Sequence, residues 1–267
     1  CRCRWSPRDT DAAAAFWVRG GGTCRALTMR IAMWSGPRNL STAMMRSFGA
    51  RADCSVMDEP FYAAYLATSG IAHPMRDEII AHYETDPKAV AAQCLAAPGD
   101  AADISYQKHM PHHMLADFPM DWTSAVTNAF LIRDPLQVAA SYEAKREAPT
   151  MADLGVEQQL ALFEEEAERL GRAPPVVDAA DINADPTRTL TALCGALGIA
   201  FDPAMLSWPA GPRETDGVWA KVWYASVNES TGFDPEPARE RPPVSDHARR
   251  LADEMMPAYR RLRSFAL

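Results

Sequence analysis

The chain has 267 residues, 48% of them hydrophobic, which suffices for one large domain or a domain with a lid and excludes disorder of the whole chain. A formal net charge of −8 argues against a nucleic-acid partner, because phosphate-backbone binding depends on clustered Lys and Arg, so an anion site must be a local concentration of positive charge. Six cysteines (Cys1, Cys3, Cys24, Cys54, Cys94, Cys194) have no CxxC spacing, which fits a reducing cytoplasm better than a zinc ribbon or a disulfide framework.

Residues 1–28 differ in composition from the rest of the chain. They hold Arg2, Arg4, Arg8, Arg19 and Arg25 and the run Gly20-Gly21-Gly22, and their apolar part, Ala12 to Val18, is too short for a signal peptide and flanked by Asp11 and Arg19. A non-native or misassigned leader is expected there, with the folded domain over 29–267. No apolar stretch reaches the roughly 20 residues that span a bilayer, so no membrane partner is expected. From Met29, strand-like runs at 30–34, 54–57, 103–107, 125–132 and 175–179 alternate with helical stretches at 40–50, 86–97, 136–146, 155–170, 186–197 and 245–262. That rhythm predicts an α/β fold, a parallel β-sheet flanked by helices. A Pro-rich segment from Phe201 to Pro243, with Trp208, Trp219, Trp223 and Tyr224, interrupts it; it reads equally as a lid or as an irregular connection packed by its aromatics.

The first strand runs through Trp34-Ser35-Gly36-Pro37-Arg38-Asn39-Leu40-Ser41-Thr42 into a helix. Such a turn aims backbone N–H groups and the positive helix end at a bound phosphate. Gly36 allows close backbone approach, Ser41 and Thr42 add hydroxyls, and Arg38 supplies a permanent charge. An ordinary β–α turn with Asn39 as cap is the alternative. There is no Walker A loop, since no Lys precedes Ser41. A second strand-to-helix passage, Leu131-Ile132-Arg133-Asp134-Pro135, carries Ser141 eight residues after Arg133, two turns into the helix.

These two segments resemble the nucleotide-binding loops of the sulfotransferase superfamily. The resemblance implies a P-loop-like three-layer sandwich and a metal-independent enzyme that uses 3′-phosphoadenosine 5′-phosphosulfate. It implies that Ser35, Gly36, Pro37, Arg38, Asn39, Ser41 and Thr42 grip the 5′-phosphosulfate and that Arg133 and Ser141 hold the 3′-phosphate. Many cytosolic members carry a Lys in the first loop where this chain offers Arg38, which stabilises a leaving oxygen but is a poor acid. Asp216-Gly217-Val218-Trp219-Ala220-Lys221 is similar, more loosely, to a donor-covering loop, which brings in Arg213 and Lys221 as cations.

Sulfuryl transfer needs a proton acceptor for the incoming nucleophile. Tyr106-Gln107-Lys108-His109-Met110-Pro111 resembles the Lys-Thr-His-Leu-Pro stretch whose His is the base in cytosolic members, and this favours His109. Lys108 stands one residue closer to it than the family's Lys. Glu59, in Asp58-Glu59-Pro60-Phe61-Tyr62, is the rival, at the place where some bacterial carbohydrate sulfotransferases put a functional Glu. His109, His112 and His113 fall on one side of a turn, but no Cys or carboxylate stands beside them, and no metal is expected. The acceptor is expected to be a small molecule or carbohydrate, with Phe61, Tyr62, Tyr65, Trp219, Trp223 and Tyr224 as candidate pocket walls. A P-loop kinase-like phosphotransferase and a non-catalytic nucleotide-binding protein are the alternatives; the missing Walker Lys weighs against the first.

Overall fold

The computed structural model describes residues 28–97, 102–144, 149–233 and 244–267. The expected leader, apart from Thr28, and the end of the Pro-rich segment, 234–243, lie outside the described residues. Five strands, β1 (Met29–Ser35), β2 (Cys54–Asp58), β3 (Ile104–His109), β4 (Thr127–Ile132) and β5 (Val176–Asp178), form one parallel sheet in the order β2-β3-β1-β4-β5. All five expected strands are present.

Strands β1 and β4 are apolar on both faces, as the middle of a sheet covered on two sides requires. In β1, Ile31 and Met33 enter one core layer while Ala32 and Trp34 enter the other. Strand β4 does the same with Ala129 and Leu131 against Phe130 and Ile132. Helices α1 (Ser41–Gly49), α2 (Tyr62–Ser69), α3 (Arg76–His82), α4 (Pro87–Leu95) and α5 (Pro135–Glu143) connect the first four strands and follow the last of these. They are followed by α6 (Met151–Leu154), α7 (Val156–Leu170), α8 (Ala179–Ala184) and α9 (Pro186–Leu197). Two short helices, α10 (Ala220–Trp223) and α11 (Ala225–Glu229), precede α12 (Asp246–Arg263), which packs on α5 and α7.

The short helices α2, α3, α6, α8, α10 and α11 carry too few turns for a periodic apolar stripe and have no counterpart among the expected elements. Strand β3 runs two residues past the end of its expected 103–107, which places both Lys108 and His109 within it. Among the described residues no helix is long and apolar enough to cross a membrane.

The Pro-rich segment is packed rather than standing off the domain. Trp208, Trp219, Tyr224 and Phe233 join the core layer that contains Met33 and Leu131. Arg46 of α1 forms a buried ion pair with Asp216 and donates to Asn228 Oδ1 at 3.2 Å. Ser207 and Gly232 close the segment with an antiparallel bridge.

Candidate active site

The order of the sheet reverses direction at β1, the point where open α/β sheets form a crevice beyond the strand ends. A cavity of about 340 Å³ lies there. Its walls come from the loop after β1 (Pro37 to Ala43), Glu59 after β2, His112 and His113 after β3, and Arg133 after β4, with Trp223, Tyr224 and Val227 across from them.

The loop after β1 is built for close approach. Arg38 and Leu40 have φ of 64° and 69°, the left-handed region that non-glycine residues enter only when their surroundings hold them there. Leu40 is the N-cap of α1 and no side chain caps this helix among the described residues, whereas Asp86, Asp134, Asp185 and Ser245 cap α4, α5, α9 and α12. Asn39, the cap in the alternative reading of this turn, does not cap the helix; its amide turns inward, donating to Leu131 O at 3.5 Å. The first-turn residues Ser41, Thr42 and Ala43 instead line the cavity with the positive end of the helix behind them.

A β-carbon on Gly36 would lie 2.7 Å from the carbonyl oxygen of Leu154, a backbone atom that cannot step aside. Gly36→Ala is therefore expected to lower the melting temperature and displace the loop, measured as weaker nucleotide binding; an unchanged melting temperature is the contrary result. Ser35, expected among the donor contacts, is fully buried at the end of β1 and does not line the cavity.

Arg38, Arg133 and Ser141 meet at one corner. Arg38 Nε donates to Ser141 Oγ at 3.0 Å, and Arg133 Nη1 donates to the Arg38 carbonyl at 2.9 Å while its Nε donates to Gln137 Oε1 at 3.0 Å. Burial, and then the nearby charge of Arg133, lower the pKa of Arg38. Two guanidinium groups held so close repel, and an anion between them relieves the repulsion. The corner thus fits a phosphate group.

Opposite stands Glu59, buried, with φ of 44° and its N–H donating to Lys108 O at 3.0 Å. Its partner is Lys108, 1% exposed, whose Nζ donates to Glu59 Oε1 at 2.7 Å, Asp58 Oδ1 at 3.0 Å and the Tyr224 hydroxyl at 2.6 Å. An ammonium has three donors, so Lys108 is saturated and Arg38 is left as the cation for a bound donor. Burial raises the pKa of Glu59 against the opposing pull of Lys108. The two carboxylates hold Lys108 protonated, well above its usual range, although burial alone would lower it.

Besides Ser35, Gly36 and Ser141, three further expected site residues do not line the cavity. His109 lies on the opposite face of β3 from Lys108, because successive strand residues point to opposite sides. It is 1% exposed, packs on Trp34, Trp122 and Phe61 with ring centroids 4.7, 5.0 and 6.1 Å away, and meets Gln107 Oε1 at 3.2 Å. Burial pushes its pKa down to about 3, so the imidazole is neutral and only weakly basic. Arg213 turns back on its own loop, donating to the carbonyls of Gly211, Pro212 and Pro209. Lys221 is an exposed residue paired with Glu78 at 2.8 Å.

The aromatics divide in the same way. Tyr62, Tyr65, Trp223 and Tyr224 line the cavity, whereas Phe61 and Trp219 pack beneath the surface. His113 stacks on Tyr62 and Tyr65 with centroids 4.5 and 5.0 Å away, and burial holds it neutral. The described residues contain no group of three His, Cys, Asp or Glu side chains placed to hold a metal. The missed features of the site are Asp58 and the polar role of Tyr224, which was expected only as a pocket wall. Asp58 had a legible signal, since it is the register partner of Lys108 on the neighbouring strand.

Two Arabidopsis thaliana proteins named branched-chain-amino-acid aminotransferase-like protein 1 and 2 are 38% and 35% identical over 232 and 231 residues, 86% of this chain in each case. The chain spans only 41% and 40% of their lengths. The solved sulfotransferase domain of the Synechococcus PCC 7002 olefin synthase superposes with a TM-score of 0.52 at 17% identity, covering 90% of this chain and 98% of that one, a likeness of fold. A family model described as a sulfotransferase domain matches residues 29–266, and the chain therefore belongs to the sulfotransferase family.

Proposed function

We propose that this chain transfers a sulfuryl group from 3′-phosphoadenosine 5′-phosphosulfate to a hydroxyl or amine of a small-molecule or carbohydrate acceptor, without a metal. The observation that supports the reading is the convergence of Arg38, Arg133 and Ser141 at one corner of a cavity that Arg38, Arg133 and Glu59 line. The donor supplies an activated sulfuryl group and a phosphate leaving group. Arg38 and the uncapped amides of α1 neutralise charge on that phosphate, and Arg133 with Ser141 holds the second one.

Glu59 takes the proton of the acceptor as its oxygen or nitrogen bonds to sulfur and the bond from sulfur to the phosphate oxygen breaks. A raised pKa makes this carboxylate a stronger base than an exposed one. Tyr62, Tyr65 and Trp223 give the acceptor apolar faces to pack on. The compartment that fits this reading is the cytoplasm: Cys54, Cys94 and Cys194 are free thiols, and burial pushes their pKa values up to about 12, 12 and 11, which keeps them unreactive.

Binding of the desulfated donor product tests the reading. It is expected to raise the melting temperature, with no comparable effect from ATP and Mg²⁺. Arg133→Ala is expected to weaken binding of the 3′-phosphorylated nucleotide about ten- to a hundredfold and that of 5′-AMP much less, because a charge-assisted contact is worth roughly 1.5–3 kcal/mol. Equal losses for both ligands make Arg133 a structural residue, and stabilisation by ATP and Mg²⁺ alone favours a phosphotransferase.

A further inference from the structure

The groups around Glu59 form a closed hydrogen-bond system whose last member comes from a remote part of the chain. The Tyr224 hydroxyl accepts from Lys108 Nζ at 2.6 Å and from Trp219 Nε1 at 3.2 Å. It donates toward Asp58, lying 2.8 and 2.7 Å from the two carboxylate oxygens. Asp58 also accepts from the Gly217 N–H at 3.1 Å. Lys108 therefore has two carboxylates competing for it inside the protein, and Asp58 is the one whose charge is satisfied by other donors.

We infer that Tyr224 is a positioning residue of the transfer site: by satisfying Asp58 it leaves the Lys108 ammonium committed to Glu59, and so holds Glu59 ionised at the cavity wall. The inference rests on the reading of Glu59 as proton acceptor. Without the hydroxyl, Asp58 is an under-solvated buried carboxylate and draws the ammonium toward itself. Glu59 then loses part of its counter-charge, and its affinity for a proton rises.

Three of the titratable groups packed around the pair add no charge at neutral pH. Burial keeps the hydroxyls of Tyr62 on α2 and Tyr106 on β3 protonated, and it keeps His113, after β3, neutral. Burial likewise leads the upward shift of Tyr224 itself, followed by the charge of Asp58.

The test is a pH titration of the protein labelled with ¹³C-carboxyl glutamate, in which the Glu59 resonance is identified by its loss in Glu59→Gln. In Tyr224→Phe the Glu59 midpoint is expected to move up by about one pH unit, the size of one lost charge-assisted hydrogen bond. The acid limb of kcat/KM is expected to move with it, and the Kd of the 3′-phosphorylated nucleotide to stay within about twofold. Asn228→Ala loosens the same segment at Arg46 without touching the ammonium, and should leave the midpoint in place.

An unmoved midpoint in Tyr224→Phe overturns the inference even if activity falls, and so does an equal shift in Asn228→Ala. If Tyr224→Phe does not fold, Trp219→Phe removes the donor behind the hydroxyl and should move the midpoint upward by less; no movement there is equally adverse. The midpoint needs no turnover, so a chain inactive toward every acceptor would count against the transfer reaction while the titration still judged the position of Glu59.

Discussion

Changing Glu59 to Gln is expected to lower turnover by about 10²- to 10⁴-fold while the Kd of the 3′-phosphorylated nucleotide stays within about twofold. A proton acceptor acts chiefly in the transition state, where the acceptor oxygen or nitrogen becomes acidic, and contributes little to holding the donor. Gln preserves the shape of Glu59 and its ability to accept from Lys108, so the loss reports the carboxylate charge. The pH profile gives an independent check. Only ionised Glu59 accepts a proton, and its pKa is raised, so kcat/KM should climb with pH through a limb above the ordinary Glu value of about 4.3. His109→Ala is the matched contrast: it removes a ring packed by Trp34, Phe61 and Trp122, and should lower stability while the folded fraction keeps its turnover. Normal turnover in Glu59→Gln removes Glu59 as the base and turns attention to His112 and His113 at the same wall.

The strands were legible because each is short, apolar and bounded by turns, and a parallel sheet buried on both faces demands that composition. The loop after β1 and the Arg133–Ser141 spacing were legible because a strand end followed by a helix start fixes geometry within a few residues. What was not legible was which way the end of β3 faces. Ending that strand at Gln107 leaves Lys108 and His109 in a loop, both able to turn toward the cavity. Two more strand residues impose alternation, and only one of the pair can then face it. Lys108 takes the cavity side because Asp58 lies beside it in register and Glu59 follows, whereas His109 meets an aromatic layer. Tyr224 was expected as a pocket wall, but its bond to Lys108 was hidden for a different reason: the contact spans 116 positions, and nothing local in Trp223-Tyr224-Ala225 signals it. Arg213 and Lys221 illustrate the converse, as cations in a loop with the right composition whose nearest acceptors are that loop's own carbonyls and a surface Glu.

Lys108→Met is expected to destabilise the fold by about 3–5 kcal/mol at neutral pH, a fall in melting temperature on the order of 10 °C. Methionine fills most of the volume of the lysine stem, so little of this loss comes from a cavity. It comes from leaving two buried carboxylates, Asp58 and Glu59, beside one another with no counter-charge. That origin fixes the sign of the pH dependence. Burial and the charge of Asp58 raise the folded-state pKa of Glu59, and the variant removes the opposing pull of Lys108, so the Glu59 contribution favours the folded state below its unfolded value and is lost as pH rises. The gap between wild type and variant should therefore be smaller near pH 4.5 than near pH 8. In the wild type Lys108 is itself raised, so its contribution persists through neutrality and is lost only at alkaline pH, as pH rises through its folded value. Adding Asp58→Asn to Lys108→Met should recover part of the stability, since one of the two repelling charges is then gone, and a double-mutant cycle measures the coupling directly. A loss below about 1 kcal/mol at neutral pH, or a loss independent of pH, would mean that water or another cation reaches the two carboxylates. The saturated ammonium would then not be what keeps Glu59 in place.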